Sequence, residues 1–383
     1  MMRASYLAFG RPNFSEEEAA AVVRVLRSGW VGMGPETIAF ERELGEFLGA
    51  AHVVTVNSCT SALFLSLLSV GVRQGDEVIC PSMTWCSTAN AALYLGAKPV
   101  FCDIDEDTLC LSPDSVAARL SPRTRAVMVV HFGGYAVDVA ALRRALPQGV
   151  AIVEDAAHAF GARYPDGKPV GSSGNPVCFS FYANKNLSTA EGGAVALSDS
   201  GAAERIASLR QHALPIDAWM RFTKSKSLVL SGALKELGYK MNYTDLQAAL
   251  GRVQLRRQRE FAAIRSEVAR AYTEGLEDLS LIRFQRDCTA ERHARHLFVI
   301  RAAREWPGIG RDELVAALKA RNLGASVHYA PLHQMPLYAR AAAHPALPVT
   351  EHVARSILTL PIGAAMSRGD AAEVVRELRT LIA

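Results

Sequence analysis

Residues 52–70 read HVVTVNSCTSALFLSLLSV, which is a short apolar run, a turn of small polar residues and a longer apolar run. The run His52–Val56 is short and rich in valine, which predicts a buried strand. The run Thr60–Val70 has the length of a helix rather than that of a strand. A strand that leads directly into a helix is the unit from which parallel α/β sheets are built.

The same alternation of short apolar runs and helical stretches continues to residue 154, after two N-terminal helices that end near residues 26 and 48. Repetition of this unit predicts a mostly parallel sheet with helices on both faces, and continuous apolar runs are typical of strands buried on both sides. The other predicted strands are Glu77–Cys80, Pro99–Ile104, Ala126–Val130 and Val150–Glu154, and the helices between them are Cys86–Leu95, Ser115–Leu120 and Val137–Leu146.

The pattern changes after residue 154. Two further predicted strands, Val177–Phe181 and Ala194–Leu197, follow each other without a full helix between them, so we expect the sheet to become mixed. Residues 244–276 read as helix, and a smaller α+β part follows with strand His296–Ile300, helix Arg311–Arg321, strand Ala325–Tyr329 and helix Arg368–Ile382. We therefore predict an α/β protein of two domains, a large one over residues 1–250 and a small C-terminal one over residues 251–383 that includes the connecting helix.

The composition is that of a globular protein. Of the 383 residues, 50% are hydrophobic and 21% are charged, and the formal net charge is +4. These values exclude a disordered chain and give no support to nucleic-acid binding. The seven cysteines form no CxxC pair, so neither a zinc site nor a disulfide framework is expected. No apolar run reaches the roughly 18 residues of a membrane span, and no signal-peptide core is visible, so we expect a cytoplasmic enzyme with neither a metal nor a membrane partner.

Polar residues follow the predicted strands at the edge where open α/β sheets bind their ligands. After the first strand, the backbone N–H groups at the start of the helix and the Thr60 hydroxyl suit a phosphate, although an ordinary helix N-cap is the alternative. Asp155 follows the run Val150–Glu154 and needs a partner, because an unpaired buried charge is costly. A metal, an arginine or a protonated ring nitrogen could be the partner of this carboxylate. The chain has no P-loop of the form GxxxxGKS or GxxxxGKT, which argues against a nucleotide hydrolase.

Two more residues at this edge point to a cofactor. Lys185 follows the strand Val177–Phe181, and although most lysines are solvated surface groups, a partly desolvated lysine has a lowered pKa and can attack a carbonyl to form a Schiff base. Trp85 follows another strand and offers either core packing or a flat stacking surface. A phosphate site, a strand-end aspartate, a lysine and a flat aromatic ring are together what pyridoxal 5'-phosphate (PLP) needs.

The order of several motifs makes the pattern specific. The motifs are Glu154-Asp155-Ala156-Ala157-His158-Ala159, Phe179-Ser180-Phe181 followed by Lys185 and Glu191-Gly192-Gly193, Gly238-Tyr239-Lys240-Met241-Asn242 before Thr244-Asp245-Leu246-Gln247-Ala248-Ala249, and Val327-His328-Tyr329. From Gly29 to about Pro361, the chain resembles the DegT/StrS family of PLP-dependent nucleotide-sugar aminotransferases. Within the family it is most similar to the UDP-4-amino-4-deoxy-L-arabinose synthase-like enzymes, which aminate C4 of UDP-4-keto sugars.

The resemblance implies the aspartate-aminotransferase-like PLP fold type I and assigns roles by position. Lys185 corresponds to the lysine that binds PLP covalently, and Asp155 to the aspartate that pairs with the pyridinium nitrogen; these two are the predicted catalytic residues. Trp85 corresponds to the aromatic residue that stacks on the ring. His158 stands where most members have a glutamine near the 3-hydroxyl of the cofactor. The implied reaction passes through pyridoxamine phosphate, with L-glutamate as amino donor and 2-oxoglutarate as its product, in polysaccharide or lipopolysaccharide biosynthesis.

Other residues are implied to bind the phosphate. Cys59, Thr60 and Ser180 lie at the positions of phosphate ligands, with Cys59 in place of the commoner glycine. Asn242 resembles an asparagine that reaches the phosphate from the neighbouring subunit, which implies a homodimer with shared active sites. The form of the motif around Asn242 leaves open whether that residue or Lys240 contacts the phosphate.

The residues expected to bind the nucleotide sugar form a third group. They are Trp30, His131, Lys240, His328 and Tyr329. Weaker candidates are His212, Arg221, Lys224 and Lys226, with the segment Leu214–Lys235 predicted to be a long loop over the pocket.

Four alternatives compete with this interpretation. An NAD-binding protein would need GxGxxG after its first strand, which Asn57-Ser58-Cys59-Thr60 does not provide. A regulatory paralogue that binds PLP without catalysis is disfavoured because Lys185 and Asp155 are both present. A related PLP sugar 3-dehydratase would have histidine in place of Lys185. Amination of a keto-cyclitol or a 3-keto sugar in antibiotic biosynthesis remains open.

Overall fold

The computed structural model describes residues 3–214, 219, 223, 234–303, 306, 308–340 and 346–383. Two helices begin the chain, α1 (Glu16–Ser28) and α2 (Pro35–Leu48). The first is fixed by a capping box, in which Ser15 accepts from the helix backbone and the Glu18 carboxylate accepts from the Ser15 backbone N–H. The second begins with a proline, whose missing N–H costs nothing in the first turn of a helix.

A seven-stranded sheet forms the centre of the large part of the molecule. Its strands are β1 (His52–Val56), β2 (Glu77–Pro81), β3 (Lys98–Cys102), β4 (Thr124–Val130), β5 (Ala151–Asp155), β6 (Val177–Ser180) and β7 (Gly193–Leu197). Their order is β1-β7-β6-β5-β4-β2-β3, and β7 runs antiparallel to both of its neighbours while the other pairs are parallel. The predicted mixed, mostly parallel sheet is therefore confirmed.

Helices cover both faces of this sheet. They include α3 (Cys59–Ser69), α4 (Cys86–Leu93), α5 (Pro113–Ala117), α6 (Val139–Ala145) and α7 (Ser200–Leu209). Successive strand residues alternate between two apolar cores: Val127 and Ile152 enter one, whereas Met128 and Val153 enter the other. Burial on both faces explains why the strands have continuous apolar sequences.

The C-terminal part begins with a helix that packs on the N-terminal helices. Its elements are α8 (Asp245–Arg256), α9 (Gln258–Leu276), β8 (Ile282–Phe284), β9 (Phe298–Ala302), α10 (Arg311–Ala320), α11 (Pro336–Ala339), α12 (Pro348–Ser356), β10 (Ile357–Leu360) and α13 (Arg368–Ile382). The three strands form an antiparallel sheet of order β10-β9-β8. Leu7, near the start of the chain, also packs into the apolar core of this part. The division at residue 250 stays a prediction.

The structure corrects one predicted strand. Residues 325–329 form no strand, and only Ser326 among them forms a bridge, which is to Thr359. Thr359 belongs to β10, which pairs along its length with β9. His328 and Tyr329 line a pocket beside the large sheet. In the described part of the chain, no helix combines the length and apolar character needed to cross a membrane.

Candidate active site

A pocket of about 520 Å³ lies at the carboxyl ends of β1, β5 and β6. This is the edge at which open α/β sheets bind ligands. It brings together most of the predicted site residues, namely Cys59, Thr60, Trp85, Asp155, His158, Ser180, Lys185, His328 and Tyr329.

The start of α3 forms one end of the pocket. The Ser61 backbone N–H donates to the Ser58 hydroxyl at 3.1 Å, which caps the helix, and the Thr60 and Ser87 hydroxyls lie 2.8 Å apart. The remaining N–H groups of a first helical turn have no partners within the helix, so such a terminus attracts an anion. Gly193 in β7 permits the turn to approach the sheet, because a Cβ at that position would lie only 2.7 Å from the Cys59 nitrogen.

Asp155 ends β5 and its side chain is buried, with 6% exposed. Its Oδ2 accepts a hydrogen bond from the Thr88 hydroxyl at 2.8 Å, and its Oδ1 accepts one from the Ala157 backbone N–H at 3.2 Å. Burial raises the pKa of the Asp155 carboxyl, while these two donors and the charge of Lys185 oppose that rise. Both hydrogen-bond donors are neutral, so this carboxylate is suited to a cationic partner in the pocket.

Lys185 lies in the loop after β6 and lines the same pocket. Burial lowers the pKa of its ammonium to about 8, although Cys59 and Asp155 act in the opposite direction. The Lys185 Nζ is 3.3 Å from the Nε2 of His296. A larger fraction of this amine is therefore neutral near physiological pH than for an ordinary lysine, which suits a nucleophile or a general base.

Aromatic side chains form part of the pocket wall. Trp85 is 61% exposed within the pocket region, and its ring centroid is 5.9 Å from that of Tyr329. The Gly133 backbone N–H donates to His158 Nδ1 at 3.3 Å, and His158 Nε2 lies 3.1 Å from the Tyr329 hydroxyl. Because Nδ1 accepts, the neutral ring carries its proton on Nε2, and burial lowers the pKa of His158 well below its usual 6.5.

These features fit PLP. Asp155 offers a buried carboxylate to a protonated ring nitrogen, the α3 terminus with Thr60 offers donors to a phosphate, and Lys185 offers an amine to a carbonyl. Trp85 presents an open ring face for stacking. The close approach that Gly193 allows between β7 and α3 keeps these groups within one pocket.

His131 does not join this pocket, contrary to its prediction as a substrate ligand. Its side chain is fully buried, Nδ1 accepts from the Val137 backbone N–H at 3.1 Å, and Nε2 is 2.8 Å from the Glu154 carboxylate. The Tyr164 hydroxyl also donates to Glu154, at 2.6 Å. His131 does follow the end of β4, as predicted, but its side chain points to the buried polar cluster around Glu154 rather than to the pocket.

Three other predicted residues lie in a separate, smaller concavity. Trp30, Lys240 and Asn242 line a pocket of about 340 Å³ together with His212. Asn242 Nδ2 donates to the Tyr243 carbonyl at 3.2 Å. Within one chain these residues are therefore not part of the Lys185 pocket, and their predicted action from a neighbouring subunit stays a prediction. Arg221, Lys224, Lys226 and most of the predicted loop 214–235 lie outside the described residues.

Sequence reasoning missed His296 and Thr88, which contact the two central residues directly. Thr88 follows Thr84 by four residues at the start of α4, and the two hydroxyls are 2.9 Å apart. The four-residue spacing of Thr84 and Thr88, which puts two hydroxyls side by side next to Trp85, was the signal from which Thr88 could have been predicted. His296 lies two residues before β9, which the sequence analysis counted as part of the strand.

Comparisons with known proteins identify the family of the chain. A family model described as the DegT/DnrJ/EryC1/StrS aminotransferase family matches residues 12–379. The spore coat polysaccharide biosynthesis protein SpsC of Bacillus subtilis (strain 168) is 39% identical over 99% of this chain and 98% of its own length.

Solved structures are similar over nearly the whole chain. The putative sugar aminotransferase Spr1654 of Streptococcus pneumoniae, in its PLP form, has a TM-score of 0.88 and 28% identity over 98% of both chains. DesI, solved in the presence of its TDP-sugar product, has a TM-score of 0.89 and 31% identity, covering 100% of this chain and 94% of its own. The extent of the family match and the identity to SpsC show that the chain belongs to the DegT/DnrJ/EryC1/StrS aminotransferase family, and it is a sugar aminotransferase.

Proposed function

We propose that the protein is a PLP-dependent aminotransferase that moves the amino group of L-glutamate to a keto carbon, C4, of a nucleotide-linked keto sugar. The observation that carries the proposal is that Lys185 and Asp155 face one pocket beneath the N-terminus of α3. An amine, a carboxylate and an anion-binding helix terminus in this arrangement match the carbonyl, ring nitrogen and phosphate of the cofactor.

Asp155 and Lys185 have different tasks in this proposal. The Asp155 carboxylate holds the proton on the ring nitrogen, and when bound, PLP supplies an electron sink for the bond that breaks at the amino carbon. Lys185 Nζ takes the proton from that carbon and returns it at the neighbouring position, which requires the neutral amine for the first step. Its lowered pKa of about 8 makes that form accessible.

The surrounding residues orient the ring. Trp85 stacks on one face, and the hydroxyls of Thr60 and Ser180 lie at the end of the pocket where the phosphate fits. The Nε2–H of His158 points to the Tyr329 hydroxyl, so this pair provides a fixed donor chain in the wall of the pocket. Binding at several points fixes the ring, so that proton transfer takes place in one geometry.

The nucleotide-sugar assignment rests on the pocket and on the relatives together. DesI was solved in the presence of its TDP-sugar product, and His328 and Tyr329 supply polar atoms to the same pocket for a sugar. The concavity of Trp30, Lys240 and Asn242 supplies a cationic amine and an amide for a phosphate group if a second subunit places it beside the first pocket. A homodimer with shared sites is accordingly part of the proposal.

A substrate panel tests the proposed function. The purified protein, loaded with PLP, would be incubated with L-glutamate and UDP- or TDP-linked 4-keto sugars, 3-keto sugars or free keto-cyclitols, and products would be detected by mass spectrometry. We expect amination of a 4-keto nucleotide sugar with release of 2-oxoglutarate. Amination of only 3-keto sugars or cyclitols would contradict the C4 assignment, and amination of none would contradict the proposed substrate class. Lys185→Ala is the matched blank.

A further inference from the structure

His296 is a buried histidine that contacts the reactive amine but belongs to none of the predicted roles. It is 3% exposed, and its Nε2 is 3.3 Å from Lys185 Nζ. Its ring lies on that of His158, with centroids 4.5 Å apart and an interplanar angle of 35°. The ring is therefore confined on one face and faces the amine along its edge.

The neighbouring Asn186 determines which nitrogen of His296 carries the proton. Its Nδ2 donates to two backbone carbonyls, those of Ala294 at 2.8 Å and Phe160 at 3.3 Å. This fixes the amide so that Oδ1 faces the ring, 3.3 Å from His296 Nδ1. Because an amide oxygen only accepts, Nδ1 must carry the hydrogen, and in the neutral ring Nε2 is then an acceptor.

Burial keeps the His296 ring neutral, because it lowers the pKa of His296 well below 6.5. The charges of Lys185 and Arg265 act in the same direction, and the buried imidazoles of His158 and His328 also face the ring. Arg265 is 4% exposed and donates to the backbone carbonyl of Arg295 at 3.2 Å. A second proton on His296 would be buried and close to the charges of Lys185 and Arg265, so its Nε2 keeps its lone pair.

We propose that His296 is a positioning residue for Lys185, in which the fixed Nε2 lone pair accepts a hydrogen bond from the Lys185 amine in both of its protonation states. One N–H of Lys185 is thereby held against the wall of the pocket, and the lone pair of the neutral amine is directed away from His296, into the space where the substrate carbon lies. The inference deepens the proposed function and rests on it for the part that concerns turnover.

The acceptor has an effect of known sign on the amine. A lone pair stabilises the ammonium more than the neutral amine, so loss of the acceptor lowers the pKa of Lys185 below its value of about 8. The expected shift is about one pH unit, the effect of one hydrogen bond to a charged group. Loosened packing has the opposite sign, because entry of water returns a desolvated lysine towards 10.5.

The test measures Lys185 in the protein without cofactor. Its reactivity towards acetic anhydride would be followed from pH 6 to pH 11 by competitive labelling and mass spectrometry, in the wild type, His296→Phe and His296→Gln. Phenylalanine keeps a ring on His158 but has no acceptor, whereas the glutamine Oε1 can take the place of Nε2. His293→Gln is the matched control, since His293 is also buried but contacts Gln285 and the Arg295 backbone.

The outcomes separate the two explanations. We expect the Lys185 titration to move about one unit to lower pH in His296→Phe, and to stay near the wild-type value in His296→Gln and in the control. No shift, or a shift to higher pH, in a folded His296→Phe protein would overturn the inference. If that variant does not fold, the tautomer of His296 is measured by ¹⁵N spectra of histidine-labelled wild type, with His296→Gln to assign the signal. We expect His296 to carry its proton on Nδ1. A proton on Nε2 would refute the proposal.

A failure of the proposed function gives a different result. If the protein does not bind PLP or aminates no sugar, the labelling titration is still measurable because it uses the protein alone. In the protein loaded with cofactor, His296→Phe should lower kcat with little change in KM. It should also shift the pH dependence of the PLP absorbance on the alkaline side. His296→Gln should restore part of the kcat and part of the shift. If kcat is unchanged while the Lys185 titration of the protein without cofactor is shifted, His296 positions Lys185 but has no role in turnover.

Discussion

Lys185 and Asp155 show how one environment changes two residues in opposite directions. Burial disfavours charge, so it lowers the pKa of the lysine to about 8 and raises that of the aspartate. Their mutual attraction limits both effects, and the hydrogen bond from Thr88 limits the rise of the Asp155 pKa. Near neutral pH the pair can therefore act as amine and carboxylate, and the proposed reaction needs both of these forms.

Replacement of Lys185 by alanine should abolish the reaction, because among the described residues that line the pocket Lys185 is the only lysine. We expect turnover to fall by about 10³-fold or more, together with loss of the absorbance of covalently bound PLP. Steady-state assays and spectra of the loaded protein measure the two effects. Lys168→Ala, on an exposed lysine, serves as the control. Wild-type turnover by Lys185→Ala would disprove the assignment of the catalytic lysine.

Replacement of Thr88 by valine tests the support of Asp155. The Thr88 hydroxyl donates to the carboxylate, so its loss should raise the pKa of Asp155 further, and the acid limb of the kcat profile should move to higher pH. We expect activity at pH 7 to fall by about tenfold, the effect of one hydrogen bond to a charged group. Thr380→Val, on the exposed face of α13, is the control. An acid limb that moves to lower pH would contradict this role for Thr88.

At the scale of elements, the site depends on the contact between the start of α3 and β7. The antiparallel strand β7 lies between β1 and β6, and its first residue, Gly193, faces the turn that precedes the helix. The backbones are so close there that a side chain would collide with the Cys59 nitrogen and the Phe179 carbonyl. The glycine is thus required by the approach of two backbones rather than by its φ angle.

Gly193→Ala should weaken cofactor binding and stability together. The added Cβ would lie 2.7 Å from backbone atoms on two sides, so α3 or β7 must move. We expect a loss of about 1–3 kcal/mol in the free energy of unfolding and a higher Kd for PLP. Denaturant unfolding and fluorescence titration with PLP measure these changes. Gly201→Ala, whose Cβ would meet only a side-chain oxygen at 3.4 Å, should show neither change. A Gly193→Ala protein with wild-type stability and PLP affinity would contradict the steric argument.

At the scale of the whole molecule, the pocket joins distant parts of the chain. The large sheet contributes Asp155 and the loop with Lys185, while His328 and Tyr329 come from the C-terminal part. Long-range hydrogen bonds hold the two parts together: Thr350 and Val349 at the start of α12 donate to Asp103, after β3. The position of the pocket wall is therefore decided by the docking of the C-terminal part on the large sheet.

A mixing experiment tests the proposed sharing of sites between subunits. Lys185→Ala and Asn242→Ala proteins should each have low activity, because each lacks one residue in both sites of its dimer. After subunit exchange at equal amounts, half of the dimers are mixed and each has one intact site, so we expect about a quarter of wild-type activity. The activity of the mixture before and after exchange is compared. If the subunits exchange but no activity is recovered, the two residues do not combine from different subunits in one site, and the proposal of shared sites is wrong.

Most of the fold could be predicted because its signals are local. The β1 and α13 boundaries agree with the predicted ones, since a buried strand and an amphipathic helix are determined by the spacing of neighbouring apolar residues. The predicted strand at residues 325–329 was wrong because an extended segment becomes a strand only when a neighbour pairs with it. In this segment only Ser326 pairs, with Thr359 of β10, so no strand forms.

The sequence by itself determined the α/β architecture, the family and the central pair Lys185 and Asp155, because apolar periodicity and short motifs at strand ends are properties of neighbouring residues. Only the tertiary structure decided that Thr88, 67 residues before Asp155, donates to it, and that His296, 111 residues after Lys185, contacts its amine. It also placed His131 on Glu154, outside the pocket. Such contacts depend on how distant elements pack and on which side of a strand end each side chain points, and neither is fixed by local sequence.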